Sequence, residues 1–159
     1  MGGPPVRLLG DRGYNTMAEP TADKRLLEAI ELLYFGYRAF TAGPDRILQE
    51  KGLGRVHHRI LYFVGRNPRI NINELLNILG VSKQALNAPL RKLIEQGLIE
   101  AQTGAHDRRV KELQLSKSGA KLEAKLTQTQ MEHLSRAFGK VGPDAAEGWR
   151  KIMHFLPLT

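Results

Sequence analysis

Two short amphipathic segments meet at Leu79-Gly80-Val81-Ser82, and this junction constrains the fold more than any other part of the chain. A tight glycine-containing turn holds two helices near a right angle, so the second projects its N-terminal half outward. The first segment opens on Asn71 as N-cap, with Glu74 three residues later as capping-box partner. Leu75, Leu76, Ile78 and Leu79 supply its buried face, and Gly80 suits a left-handed cap. Ser82 caps the second segment, expected over about 82–96, with Leu86, Leu90, Leu93 and Ile94 inward and Gly97 as its end.

The flanks are organised around this unit. Residues 1–20 are rich in Gly and Pro without apolar periodicity, and are expected to form a disordered tail. From Asp23 to Thr41, Leu26, Ile30, Leu33, Tyr37 and Phe40 repeat with helical spacing, widened by Leu27 and Tyr34. Ala42-Gly43-Pro44 is expected to stop that helix, with a short helix or turn over Asp45–Lys51. Val56–Arg66 is the most apolar helix and should be central, ending at Asn67-Pro68. Beyond Gly97, Leu98–Thr103 and Val110–Leu115 read as a β-hairpin around a polar turn, Gly104-Ala105-His106-Asp107. Ser116 caps a long helix to about Phe138. Gly142-Pro143 starts a last helix, in which Trp149, Ile152, Met153 and Leu156 share a face. The expected fold is mainly α with a small β-hairpin, an α+β arrangement.

Charge is concentrated in the middle. Residues 54–115 carry ten basic and five acidic side chains, more than half of the net +8, whereas residues 1–53 are balanced. A basic centre in a neutral scaffold suits a polyanion. The second helix of the turn presents Ser82, Lys83, Gln84, Asn87, Ala88, Arg91 and Lys92 outward. The DNA major groove admits one helix; Gln and Asn pair with adenine there, and Arg and Lys read guanine or hold phosphate. The hairpin tip adds His106, Arg108 and Arg109, which suit the electronegative minor groove. In this order the elements describe a winged helix–turn–helix. Pro89 falls inside the recognition helix, where it removes a hydrogen bond and would kink an ordinary interior at a cost of ~3 kcal/mol. The helix is expected to persist because both flanks are periodic, leaving Arg91 and Lys92 to touch phosphate rather than bases.

Residues 71–122 resemble the MarR family of bacterial and archaeal transcriptional regulators. The likeness is carried by Asn71–Leu76, Leu79–Leu86, the helix exit Gly97-Leu98-Ile99, the wing Asp107-Arg108-Arg109, and Leu115-Ser116-Lys117-Ser118-Gly119 with Leu122. The order of helices over 22–157 is similar too. The resemblance implies a homodimer of winged helix–turn–helix subunits. Residues 21–53 would be an N-terminal dimerisation helix with a linking helix, 54–116 the DNA-binding domain with its wing over about 98–115, and 117–159 the C-terminal dimerisation helices. It further implies a short inverted repeat in duplex DNA, with half-sites about 34 Å apart, and usually repression. Asp107 would pair with Arg109 to hold the wing and leave Arg108 to the minor groove, or the two arginines would exchange roles. Ala88 stands where a basic residue is common in the family. Relatives often bind aromatic or phenolic acids, and Tyr34, Tyr37, Arg38, His57, His58, Arg59 and Tyr62 would line such a pocket here.

Other chemistries find little support. The chain has no cysteine, which excludes disulfides, thiolate metal sites and cysteine redox sensing. His57 and His58 are adjacent and diverge on a helix, so no metal site is expected. No nucleophile elbow or phosphate-binding glycine loop is present; an enzyme and a cofactor are not expected. No apolar run approaches the ~20 residues of a membrane span. The cytoplasm is the expected compartment, with nucleoid association when bound to DNA. Two other readings stay open: an architectural protein with weak sequence preference, and a winged-helix protein-interaction module.

Overall fold

The computed structural model describes residues 21–104 and 110–158. Two compact units divide after Phe35. The elements in order are α1 (Ala22–Gln49), α2 (Arg55–Arg66), β1 (Ile70–Asn71), α3 (Ile72–Leu79), α4 (Lys83–Glu95), β2 (Ile99–Thr103), β3 (Lys111–Leu115), α5 (Lys117–Val141) and α6 (Pro143–Phe155), followed by a 3-10 turn, Leu156–Leu158.

The expected stop at Ala42-Gly43-Pro44 does not occur, and α1 runs through it to Gln49. Packing outweighs the lost hydrogen bond. Thr41, Pro44 and Leu48 form the buried side of the helix. A Cβ on Gly43 would stand 2.6 Å from Thr129 Cγ2, so the glycine lets α1 and α5 approach closely. The Thr41 hydroxyl donates to the Tyr37 carbonyl at 3.0 Å. The helix ends in a Schellman turn: Leu53 N–H donates to the Leu48 carbonyl at 2.9 Å, Gly52 N–H to Gln49 at 3.0 Å, and Gly52 has φ +64°. Leu48 and Leu53 are both buried, the apolar contact that accompanies this turn.

Helix α2 is central, with Ile60, Leu61 and Val64 buried. They join Leu48, Leu75, Leu86, Leu93, Ile99, Leu113, Leu122 and Leu126 in one core. The hairpin pairs Ile99 with Leu115 and Ala101 with Leu113. A third strand, β1, was not expected. It pairs antiparallel with β3, Ile70 opposite Leu113, giving the order β1-β3-β2. Two residues are too few to show an alternating pattern. The chain enters β1 through Arg69, held at φ +67° with its guanidinium on Glu112 at 2.7 Å.

The α4 exit repeats the α1 exit. Leu98 N–H donates to the Leu93 carbonyl, Gly97 N–H to Ile94, and Gly97 has φ +66°. Helix α5 begins directly against this turn. A Cβ on Gly119 would overlap the Leu98 carbonyl oxygen, so only glycine permits the contact. Helix α5 continues to Val141, a turn beyond the expected end. Helix α6 starts with Pro143 at its first position.

Among the described residues, not every apolar face finds cover. In residues 22–35, Leu26 and Ile30 are 64% and 65% exposed. In the other unit, Ile152 and Phe155 of α6 are each 65% exposed.

Candidate nucleic-acid interface

The turn between α3 and α4 is built as the residues demand. The Asn71 side chain accepts from Glu74 N–H at 3.0 Å, and the Glu74 carboxylate accepts from Asn71 N–H at 3.0 Å. Gly80 closes α3 in the left-handed region, φ +61°. The Ser82 hydroxyl accepts from Ala85 N–H at 3.2 Å and so satisfies one of the open donors at the start of α4. Leu86, Leu90 and Leu93 pull one face of α4 into the core. The opposite face carries Ser82, Lys83, Gln84, Asn87, Ala88 and Arg91, all exposed. Pro89 lies inside an α4 that is helical from Lys83 to Glu95.

Lys92 departs from its expected outward placement. Its ammonium donates to the Gly52 carbonyl at 2.6 Å, at the end of α1. The flexible stem lets the charge reach a helix C-terminus, where carbonyls lack partners and a cation is favoured. The Lys92 charge, after burial, also pushes the His57 pKa down. One turn further, Gln96 Nε2 donates to the Lys51 carbonyl at 3.3 Å. The expectation included neither Gln96 nor Gly52 in the site. A legible signal exists: Leu48-Gln49-Glu50-Lys51-Gly52-Leu53 and Leu93-Ile94-Glu95-Gln96-Gly97-Leu98 share Leu, Glu, Gly and Leu at the same spacing. The wing-tip residues His106, Asp107, Arg108 and Arg109 lie outside the described residues, as does the tail 1–20.

A cleft of about 320 Å³ lies beside α2. Tyr37, His58, Arg59 and Tyr62 line it, with Phe40 and Met131; Arg38 and His57 are not among its lining residues. Tyr34 belongs to the other unit. His57 Nδ1 instead accepts from Gly54 N–H at 3.0 Å, helping to start α2. Two residues that sequence reasoning did not select, Asp45 and Arg55, also face the cleft. Arg55 Nε and Nη2 both donate to Asp45 Oδ2, at 2.9 and 2.7 Å, a pair that spans the α1–α2 corner and raises the Arg55 pKa further above its already high ordinary value. Arg55 lies 5.3 Å from the Tyr37 ring centre, and Arg59 donates to the Tyr37 hydroxyl at 3.0 Å. Because Asp45 and Arg55 offset each other, Arg59 supplies the cleft's net positive charge. His58 Nε2 is buried without a hydrogen-bond partner among the described residues, and burial pushes the His58 pKa down. No cluster of three metal-binding side chains occurs among the described residues. No helix there is long and apolar enough to cross a membrane.

Comparison with known proteins gives this geometry a family. The MarR family pattern matches residues 51–110. The chain is 42% identical over 131 residues to the HTH-type transcriptional regulator PetP of Rhodobacter capsulatus, covering 82% of this chain and 79% of that one. Among solved structures, Staphylococcus aureus MarR in complex with salicylate and kanamycin is 19% identical, with a TM-score of 0.71 over 86% of this chain and 94% of that one. A MepR variant from S. aureus bound to an oligodeoxyribonucleotide is 18% identical, with a TM-score of 0.58 over 80% and 94%. The capped helix–turn–helix, the small antiparallel sheet and these likenesses converge: the chain belongs to the MarR family of winged helix–turn–helix, DNA-binding transcriptional regulators.

Proposed function

We propose that the protein is a homodimeric, sequence-specific repressor that reads a short inverted repeat and is released by a small aromatic anion. It regulates transcription rather than catalysing a reaction, and works in the cytoplasm on the nucleoid. The observation that carries the reading is the exposed polar face of α4, where Gln84 and Asn87 offer paired hydrogen bonds and Lys83 and Arg91 offer charge. Ser82 contributes to the same surface, and Arg108 and Arg109 would extend it from the wing, with Asp107 holding their loop.

Dimerisation is supported by the exposed apolar residues of α1 and, separately, of α6, which a second copy would cover. Release is supported by the cleft. Tyr37 and Tyr62 offer ring faces, and Arg59 offers a cation to an aromatic carboxylate. The salicylate-bound neighbour is a relative of this fold that takes such a ligand. A ligand favouring one dimer conformation would shift the recognition helices away from operator spacing.

The test is selection of duplex DNA from a random library at near-physiological salt. The expected product is an inverted repeat with half-sites one helical turn apart. Tight binding without a consensus would overturn sequence specificity and favour an architectural role, a reading to which the exposed Ala88 lends some support. Absence of binding with and without candidate aromatic acids would leave a protein-interaction module.

A further inference from the structure

The end of α4 is held from two sides. Lys92 and Gln96, one helical turn apart and so on one face, donate to the consecutive carbonyls of Gly52 and Lys51. On the other side the Ser116 and Ser118 hydroxyls donate to the Gly97 carbonyl at 2.6 and 2.9 Å. Ser116 N–H adds a bond to the Leu98 carbonyl at 3.1 Å. The two longest helices of the fold, α1 and α5, therefore meet the last turn of the recognition helix through polar contacts. The residues offered for base contact, Gln84 and Asn87, sit at the opposite end.

We propose that Lys92 is a positioning residue of the DNA-reading surface: with Gln96 it latches α4 to the end of α1 and sets the tilt of the recognition helix. The inference rests on the reading of α4 as the helix that enters DNA. Gln84 lies eight residues from Lys92, about 12 Å along the axis at the usual helical rise. A rotation of about 10° at the latch would move Gln84 by about 2 Å over that lever. Paired hydrogen bonds to base edges fail over such a distance. Attraction to phosphate survives it, because charge acts over many ångströms. Loss of the latch should therefore weaken specific binding and leave non-specific binding intact. A phosphate contact would behave in the opposite way, weakening every duplex alike.

The experiment uses the full-length protein and two duplexes: the best sequence recovered by selection, and a scrambled duplex of equal length. Affinities are measured across a salt series. Lys92→Met is expected to lose about tenfold on the selected duplex, the size of one lost paired contact to a base edge, with the scrambled duplex and the salt slope unchanged. Lys92→Arg keeps a charged donor and should restore the preference. Gln96→Met, which removes no charge, should shift the ratio in the same direction by a smaller factor. Arg91→Met serves as the phosphate reference, lowering both affinities and the salt slope by about one. Equal loss on both duplexes with a shallower slope for Lys92→Met would overturn the proposal, as would no change on either. Should the native protein bind both duplexes equally, sequence-specific reading fails. The latch is then judged by amide exchange: faster exchange at Leu53 and Gly54 in Lys92→Met supports it, and unchanged exchange overturns it.

Discussion

Helices α4 and α6 have the same length, thirteen residues, and opposite fates. Helix α4 buries Leu86, Leu90 and Leu93, whereas α6 buries only Ala146. Both have an apolar stripe at helical spacing. Helix α4 starts on a serine cap, and its C-terminal turn is latched to the ends of two other helices. Helix α6 starts on Pro143 with no side-chain cap, and its clearest tertiary contact is the Trp149 ring 5.3 Å from Phe138. Amphipathic spacing states that a face needs cover; it does not state whose surface supplies it. A face met inside the chain stabilises the monomer fold. A face left open stabilises only what docks on it.

That contrast can be broken most severely at its buried side. Leu93→Ala removes a fully buried side chain and is expected to cost about 2–5 kcal/mol, readable as a lower urea midpoint together with lost DNA binding. The matching change on the open side, Ile152→Asp with Phe155→Asp, should leave the far-ultraviolet circular dichroism helical while sedimentation shows the proposed dimer shifting to monomer. Unchanged sedimentation would mean that α6 does not carry the interface. Next in size, Gly119→Ala forces a methyl group onto the Leu98 carbonyl and is expected to cost about 1–3 kcal/mol in thermal or urea unfolding. A neutral outcome would show that α5 can back away from the α4 exit.

The smallest effect concerns the buried His58 Nε2, which meets no hydrogen-bond partner among the described residues. Burial lowers the His58 pKa, so the folded state binds fewer protons than the unfolded chain as pH falls below the ordinary histidine value of about 6.5. The stability present above that pH is then lost progressively on acidification until the folded-state pKa is passed. His58→Gln should flatten this part of the stability profile, measured by urea unfolding at pH 7.5 and 5.5. An identical profile in the variant would assign the acid sensitivity elsewhere.

Much of the winged region was legible because its signals are local. Asn71 with Glu74, Gly80 and Ser82 act within four residues of themselves, and each caps the helix it was expected to cap. Gly43-Pro44 misled for the complementary reason. Its local preference for a break is real, but the burial of Pro44 and the close approach to Thr129 are tertiary facts that outweigh it. Strand β1 was invisible because two residues carry no period. Lys92 was expected on phosphate because spacing placed it near the exposed face; a long side chain can reverse that choice by folding back onto a carbonyl.

The sequence by itself determined where helices start and stop around the turn, which residues of α4 face away from the core, and that the centre of the chain is basic. Those outcomes depend on residues a few positions apart, whose geometry follows from backbone and side-chain chemistry. Only the tertiary structure decided that α1 continues through a proline, that Asp45 pairs with Arg55, and that Lys92 folds back onto the carbonyl at the end of α1. These depend on groups that the fold brings together from different elements, where packing in the core and polar contacts at its surface outweigh the local preference.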